Sequence, residues 1–326
     1  MKAVVCSAFG PPENLTIEEL PDPVPGPGEV VVDIRAAAIT WPDTLIIENR
    51  YQFRGEPPFV VGGEVGGRIA AVGPEVDGLA VGDDVVGGGG TGGFAEQVLL
   101  KTSQVRKLPP GLGHAEATGY GYAYGTGHYA LKYRGNLKPG ETLLVLGAAG
   151  GVGLAALELG KVMGARVIAA ASSEEKLMLC RERGADETIN YAEEDLKNRA
   201  KELTAGKGVD VVYDAVGGDY AEAALRATNW RGRFLVIGFT AGIPRMPLNL
   251  TLLKGCDIVG VFWGASRMRE PEVFEATRIE TEALAASGKI QPYISRRYPL
   301  EEVPQALRDM MDRKIIGKMV MQRNGQ

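Results

Sequence analysis

The stretch from Thr142 to Gly153, Thr-Leu-Leu-Val-Leu-Gly-Ala-Ala-Gly-Gly-Val-Gly, constrains the fold more than any other part of the chain. Leu143, Leu144, Val145 and Leu146 make an apolar run of buried-strand length that breaks on Gly147. A helix reopens after Gly150. Glycine at 147 permits a sharp turn, and glycine at 150 or 151 leaves no side chain between the backbone and a pyrophosphate. Gly153 lets the helix pack close to its strand. The free amides of the helix N-terminus then point at the anion. Such glycines alone are a weak signal, because many similar runs are only turns. Here a strand precedes them, a helix follows, and a second strand, Ala165 to Ala171, comes next. The expectation is a dinucleotide site in which Gly147, Ala148, Gly150, Gly151, Val152 and Gly153 surround a pyrophosphate.

The rest of the chain divides into two grammars. Up to about residue 120, short strands alternate with glycine turns: Lys2 to Ser7, Leu15 to Leu20, Val30 to Ala38, Val60-Val61, Val65 to Val72, and Phe94 to Leu100. Four prolines between Pro21 and Pro27 force an extended crossing. This pattern predicts a small barrel or sandwich. From about 123, strands and helices alternate through Val209 to Tyr213, Arg233 to Gly238 and Asp257 to Phe262, which predicts a parallel, doubly wound sheet. The tail carries a helix over Pro271 to Ser287, a helical stripe of Val303, Ala306, Leu307, Met310 and Met311, and a last strand, Ile316 to Met321.

Composition removes several classes of function. The 326 residues suffice for about two domains, and the net charge of −5 is spread along the chain, so nothing resembles a nucleic-acid footprint. No apolar run approaches 18 residues, and polar sequence follows Met1 to Val5, so neither a membrane span nor a signal peptide is expected. Three isolated cysteines, Cys6, Cys180 and Cys256, suit a reducing cytoplasm rather than a disulfide framework.

Several stretches together resemble the zinc-independent medium-chain dehydrogenase/reductases, and within them the NADPH:quinone oxidoreductase (zeta-crystallin-like) branch. They include Gly10-Pro11-Pro12-Glu13, Pro25 to Val30, Gly62 to Gly67, Val81-Gly82-Asp83, Gly92 to Glu96, Tyr124-Gly125-Thr126, Gly147 to Gly153, Gly208 to Asp214 and Gly232-Arg233-Phe234. The resemblance runs essentially end to end. It implies an α/β fold: a GroES-like β-rich catalytic domain, residues 1–122 and 263–326, with an inserted Rossmann domain, residues 123–262. It also implies a cofactor in the cleft between them and a homodimer paired through the edge strand near Cys256 to Val261.

The second strand of a dinucleotide fold ends near the adenosine ribose, where NAD enzymes usually carry an acid. Here that end reads Ala170-Ala171-Ser172-Ser173, without a carboxylate at 172. Ser172 can hydrogen-bond a 2′-phosphate, Lys176 lies one turn further on, and the resemblance adds Tyr191. These favour NADPH. The alternative is an ordinary helix start, with Ser173 as N-cap and Glu174 and Glu175 favoured by the dipole. Zinc needs a tetrahedral set of soft or imidazole donors. Gly63 and Thr40 or Trp41 stand where the zinc members of the superfamily carry His and Cys, His114 and His128 lie far from any partner cysteine, and the four-Cys lobe is absent. No metal is expected, so the chemistry reduces to hydride delivery onto an acceptor that is already electrophilic: a quinone, or an alkene conjugated to a carbonyl.

The resemblance also suggests site residues. Tyr51 falls where related reductases carry a tyrosine that can donate a hydrogen bond or proton to an enolate or quinolate, and it reads equally as a loop aromatic. Thr126 matches a threonine at the nicotinamide end, or a helix cap. Asp43 matches an Asn-x-x-Asp stretch whose asparagine is here Thr40, and it is a substrate-side candidate together with Tyr51 and Trp263. Glu64 reads as a loop-positioning acid before a catalytic one. Gly238 and Phe239, and Phe262 with Trp263, follow the last strands at their carboxyl ends, where doubly wound sheets hold ligands; as plain core aromatics Phe239 and Phe262 would need no ligand. Gly119 to Gly127 is richer in Gly and Tyr than the family pattern. The leading reading is NADPH:quinone reduction. The rivals are double-bond reduction of enoyl-CoA, acrylate or 2-enal substrates, with Arg50, Arg54, Arg267, Arg269, Arg296 and Arg297 as a basic rim, and a cofactor-binding structural protein of the crystallin kind.

Overall fold

The computed structural model describes residues 1–52 and 55–323. The chain forms two compact units: Met1–Tyr120 with Gln291–Gln326, and Gly121–Ile290. In chain order the first unit supplies strands β1 (Lys2–Cys6), β2 (Thr16–Glu19), β3 (Glu29–Ile39), β4 (Phe59–Val60), β5 (Val65–Val72), β6 (Asp84–Gly87), β7 (Gln97–Lys101) and β8 (Val105–Lys107), with helices α1 (Trp41–Ile47) and α2 (His114–Ala117). Helix α3 (Tyr120–His128) leads into the second unit. There β9 (Thr142–Leu146), α4 (Gly151–Val162), β10 (Arg166–Ala171), α5 (Glu174–Glu182), β11 (Glu187–Asn190), α6 (Leu196–Leu203), β12 (Val209–Asp214), α7 (Gly218–Ala227), β13 (Thr228–Val236), α8 (Asn249–Lys254), β14 (Asp257–Gly260), α9 (Trp263–Arg269) and α10 (Pro271–Ala286) follow. Strands β15 (Ile294–Tyr298) and β16 (Lys318–Gln322), with α11 (Val303–Met311) between them, return to the first unit.

The first unit is built around β3. Its sequence, Glu-Val-Val-Val-Asp-Ile-Arg-Ala-Ala-Ala-Ile, lacks the alternation of a one-sided strand, and it pairs with β5, β7 and β16. Register shifts between Val31 and Val32 and between Ile34 and Ala36 bend it, as bulges do at barrel corners. The sheet order is β15-β16-β3-β5-β6-β8, and a separate three-stranded sheet runs β2-β1-β4. Val303, Ala306 and Leu307 of α11 are fully buried in the same core as Val4, Ile34 and Phe94. Burying the Val303 and Leu307 side chains stabilises the fold by about 1.5–3 kcal/mol each before entropy is counted. Glu13 and Arg308 close this unit with paired 2.6 Å hydrogen bonds, and the guanidinium holds the Glu13 carboxyl down to about 2.

The second unit is a parallel six-stranded sheet in the order β11-β10-β9-β12-β13-β14. Leu143 to Leu146 of β9 and Val167 to Ala171 of β10 are apolar without alternation and buried, as in a parallel sheet covered on both faces. The unit continues to Ile290, past residue 262, where the sequence reading closed the nucleotide domain. Helices α9 and α10 stay with this unit for a polar reason. The Tyr129 hydroxyl donates to Glu270 at 2.5 Å, Lys132 reaches Glu280 at 2.5 Å, and a His128 ring nitrogen lies 3.0 Å from Glu280. The Trp263 ring stacks on Phe274 with centroids 4.5 Å apart. Apolar periodicity alone does not register such charged contacts.

The Gly/Tyr-rich stretch is helical. A Cβ on Gly125 would lie 2.7 Å from the Trp263 ring, and one on Gly127 would lie 3.0 Å from Leu159 Cδ1. The glycines let α3 lie directly on Trp263 and α4.

Candidate functional site

The six strands of the second unit end on one edge, and the chain changes direction there in every βα loop. After β9, Gly147 adopts φ +66°, a conformation open to glycine at little cost. The Gly150 amide donates to the Gly147 carbonyl at 3.0 Å, closing the loop, and Leu154 donates to Gly150 at 2.8 Å, opening α4. A Cβ on Gly153 would lie 2.1 Å from the Gly147 oxygen and 2.8 Å from Ala148 Cα, so only glycine brings the helix this close to the loop. Gly147, Gly150, Gly151 and Val152 remain partly exposed, whereas Ala148 packs inside. The first-turn amides of α4 have no intrahelical acceptor. A loop with glycine at 147, 150, 151 and 153, closed by its own hydrogen bond and leading into a helix N-terminus, fits a pyrophosphate.

Beside it, at the end of β10, Ser172 is exposed and accepts a 3.2 Å hydrogen bond from Lys176 Nζ. Ser173 caps α5 by accepting from the Lys176 amide. Both readings of this stretch therefore coexist: Ser173 starts the helix, while Ser172 and Lys176 together present a hydroxyl and an ammonium. After β11, Tyr191 lies against Tyr220, with ring centroids 4.4 Å apart. After β12, the buried Asp214 accepts from the amides of Val216 and Gly217 at 2.8 and 2.9 Å, folding a loop through Gly217 and Gly218, both at positive φ. Burial raises the Asp214 pKa, and these two amides oppose it. The sequence reading did not single out Asp214 as a site residue; the signal was an acid ending an apolar strand just before Gly-Gly.

Gly238 follows β13, its amide donating to the Asp214 carbonyl, so the two loops are joined. Phe239 and Phe262 are 42% and 45% exposed, which is not the environment of core rings. Thr126 is buried within α3 rather than at its cap. Trp263 is buried: its indole N–H donates to the Gly121 carbonyl at 2.9 Å, and its ring faces Tyr129 and Phe274. These contacts make it a support for α3.

The remaining candidates belong to the first unit. Asp43 is 1% exposed and accepts from the Thr40 amide and hydroxyl, each at 2.7 Å. It holds the start of α1, and burial pushes its carboxyl up to about 6. A short acid three residues after Thr40 satisfies the helix start. Tyr51 is half-buried just beyond α1, and Glu64 is half-buried between β4 and β5. Among the arginines proposed as a rim, Arg50 pairs with Glu48, Arg296 with Asp309 and Arg297 with Glu116, all in the first unit. Arg267 and Arg269 lie on α9 in the second unit, and Arg54 lies outside the described residues.

A cavity of about 550 Å³ opens in the first unit beside α2, lined by Arg35, Arg68, Arg297, His114, Glu116 and Gln322 among others. Each guanidinium already has a carboxylate: Asp33, Asp84 and Glu116 respectively. The sequence reading also passed over Lys318. Its ammonium donates to the carbonyls of Ala115, Glu116 and Thr118, and burial lowers it to about 7 against the attraction of Glu64 and Glu116. Among the described residues, no group of three or more His, Cys, Asp or Glu side chains is gathered as a metal site.

Comparison with known proteins agrees with this architecture. Residues 26–110 match the alcohol dehydrogenase GroES-like domain family, and residues 151–278 match the family described as zinc-binding dehydrogenase. The first of these segments contains neither Cys nor His, and the second contains no His. The chain is 38% identical to "Quinone oxidoreductase-like protein 2 homolog" of Nematostella vectensis over 98% of its length and 88% of the relative's. It is 35% identical to the quinone oxidoreductase of Pseudomonas aeruginosa, over 98% and 99% of the two chains. The crystal structure of Escherichia coli quinone oxidoreductase complexed with NADPH superposes with a TM-score of 0.90 at 29% identity, covering 99% of this chain and 100% of that one. With a GroES-like unit, an inserted dinucleotide-type unit and relatives that match along nearly the whole length, this chain belongs to the quinone oxidoreductase family of medium-chain dehydrogenase/reductases and is an oxidoreductase.

Proposed function

We propose that the chain binds NADPH on its second unit and reduces a quinone. The carrying observation is the pairing, on one sheet edge, of the glycine-rich Gly147–Gly153 loop with the Ser172–Lys176 hydroxyl and ammonium, without a carboxylate at 172. That Escherichia coli quinone oxidoreductase was solved as a complex with NADPH supports the same choice. When bound, the nicotinamide supplies a hydride.

The protein's part is binding, orientation and charge. The first-turn amides of α4 take the pyrophosphate, and Ser172 and Lys176 take the 2′-phosphate beside Tyr191. The Gly238-Phe239 and Phe262 backbones and Thr126 serve the nicotinamide end. Tyr51 donates a hydrogen bond or proton to the oxyanion that develops on the acceptor. Tyr51 is proposed as the catalytic residue on the family resemblance, and Tyr51→Phe tests it.

The fold also favours a homodimer. Strand β14 is the open edge of the second sheet, and Leu248, Leu252 and Leu253 stand well exposed on and beside α8. Sedimentation as a monomer at micromolar protein would refute this. Three buried free cysteines are consistent with a cytoplasmic protein, and no helix among the described residues is long and apolar enough to cross a membrane.

The deciding experiment is NADPH oxidation with 1,4-benzoquinone, 9,10-phenanthrenequinone, acryloyl-CoA and a 2-enal side by side. Turnover with the quinones at least tenfold above the enoyl substrates is expected. The reverse order would make the chain a double-bond reductase, and tight NADPH binding without any turnover would make it a cofactor-binding structural protein.

A further inference from the structure

Helix α4 runs Leu154-Ala155-Ala156-Leu157-Glu158-Leu159-Gly160 through its buried section, and one residue there is an acid. Glu158 is 8% exposed. Its Oε2 accepts from the Tyr124 hydroxyl at 2.8 Å, and its Oε1 accepts from Arg183 at 3.1 Å. An acid placed among leucines costs stability unless strongly paired, and apolar residues of similar size would pack at least as well. The arrangement is therefore better explained by geometry than by stability.

Tyr124 and Arg183 sit on different elements. Tyr124 lies in α3, two residues before Thr126, while Arg183 caps the C-terminus of α5. Helix α5 begins on Ser173 and carries Lys176 in its first turn, and α4 itself begins at the Gly150–Gly153 loop. One carboxylate thus ties together the three helices that carry three separate parts of the cofactor site. Gly127 reinforces the same contact, since it lets α3 approach to within touching distance of Ala156 and Leu159 on either side of Glu158.

We propose that Glu158 is a positioning residue: through Tyr124 it sets where α3 places Thr126, and through Arg183 it sets where α5 places Lys176, both relative to the pyrophosphate loop. This rests on the NADPH reading above. Glu158 does not itself reach the cofactor, because it lies about two turns, roughly 10 Å, along α4 from the loop. Its effect is on alignment, and an error of about 1 Å at a reacting centre can cost about a hundredfold in rate.

Because the partners are separate, the two ends of the cofactor site can be perturbed separately. Tyr124→Phe releases α3 and keeps the Arg183 pair. It should lower kcat about tenfold and raise the primary isotope effect with 4-deuterated NADPH, leaving the ratio of NADPH to NADH affinity unchanged. Arg183→Met releases α5 and keeps the Tyr124 bond. It should weaken NADPH several-fold relative to NADH, with kcat little altered. Glu158→Gln should do both, and Glu158→Asp should recover only part of either.

Cofactor affinities are read by quenching of tryptophan fluorescence, alongside thermal midpoints. If Glu158→Gln and both partner variants shift only the midpoint, leaving kcat, the isotope effect and the NADPH/NADH ratio at wild-type values, Glu158 is a packing residue and the proposal fails. If Glu158→Gln does not fold, the two partner variants decide alone on the same criteria. If the wild-type protein does not bind NADPH, the cofactor reading has failed, and the inference about Glu158 falls with it.

Discussion

Adding one methyl group at Gly153 tests the central geometry. An alanine there would place Cβ 2.1 Å from the Gly147 oxygen, whereas ordinary contact begins at 3.4 Å, so helix and loop must separate by about 1.3 Å. Both atoms nearest the methyl are backbone, so no rotamer change relieves the clash. Overpacking of this kind costs about 1–3 kcal/mol, which lowers the thermal midpoint by about 3–10 °C for a unit of this size. The separation also draws the α4 amides off any pyrophosphate by more than a hydrogen bond tolerates. Losing one charge-assisted bond costs about 1.5–3 kcal/mol, or roughly 10- to 100-fold in NADPH affinity.

Gly150→Ala is the control. Gly150 has φ −80°, accessible to any residue, and its nearest protein contact would be the Gly147 oxygen at 3.4 Å. The apo midpoint should move by less than about 1 kcal/mol, because only a glycine cap is lost. The rise in midpoint on adding NADPH should nevertheless disappear, since the methyl stands where the ligand approaches. Differential scanning fluorimetry with and without NADPH reads both quantities. A Gly150→Ala protein that keeps the wild-type NADPH shift, or a Gly153→Ala protein matching wild type in both, would refute the reasoning.

Lys176→Ala should weaken NADPH roughly tenfold or more and change NADH less than about twofold, because only the 2′-phosphate meets the ammonium; equal losses in titrations with the two cofactors would contradict it. Tyr213 is fully buried on β12 with no hydrogen-bond partner for its hydroxyl among the described residues, and burial alone drives its pKa far above that of a free phenol. Tyr213→Phe should raise the urea midpoint, by about 1 kcal/mol, and a loss of that size instead would mean the hydroxyl is satisfied. Burial holds the Asp43 carboxyl at about 6 in the folded state against 3.8 unfolded, so the fold takes up a proton there first. This group weakens the fold above pH 6 and relieves it, by about 3 kcal/mol, as pH falls toward 4. Asp43→Asn should abolish that component of the urea-stability profile between pH 4 and 6, and an unchanged profile would exclude it.

How much of this was legible beforehand depended on the kind of force involved. The βα alternation from Thr142 onward read true because buried parallel strands are apolar on both faces, and the strand lengths follow from the apolar runs at Leu143 and Val167. Gly147 and Gly153 were legible for the same local reason, since turn and close approach each demand glycine. The stripe over α11 was equally plain. What escaped was non-local and polar. Helices α9 and α10 belong to the second unit through His128, Tyr129 and Lys132, whose partners Glu270 and Glu280 lie about 150 residues away. The spacing of Asp43 from Thr40 matches a family stretch, and the structure adds that the same spacing serves a helix start. Nothing in the sequence marks Glu158; its contacts with Tyr124 and Arg183 come from the tertiary fold.

The pairing of β16 with β3 joins residues 319–322 to residues 36–39, whereas every strand of the parallel sheet lies within 142–260. The two units therefore differ in when they can be completed during synthesis. The nucleotide-binding unit is contiguous and can close its sheet as soon as β14 has left the ribosome. The first unit cannot; until its last strand arrives, β3 lacks its β16 partner at Ala36–Ile39 and the α11 residues that fill its core. Ribosome-bound nascent chains stalled before residue 318 should then pair protease-resistant central segments with labile N-terminal ones, and this half of the molecule is where a chaperone would have its longest opportunity to bind.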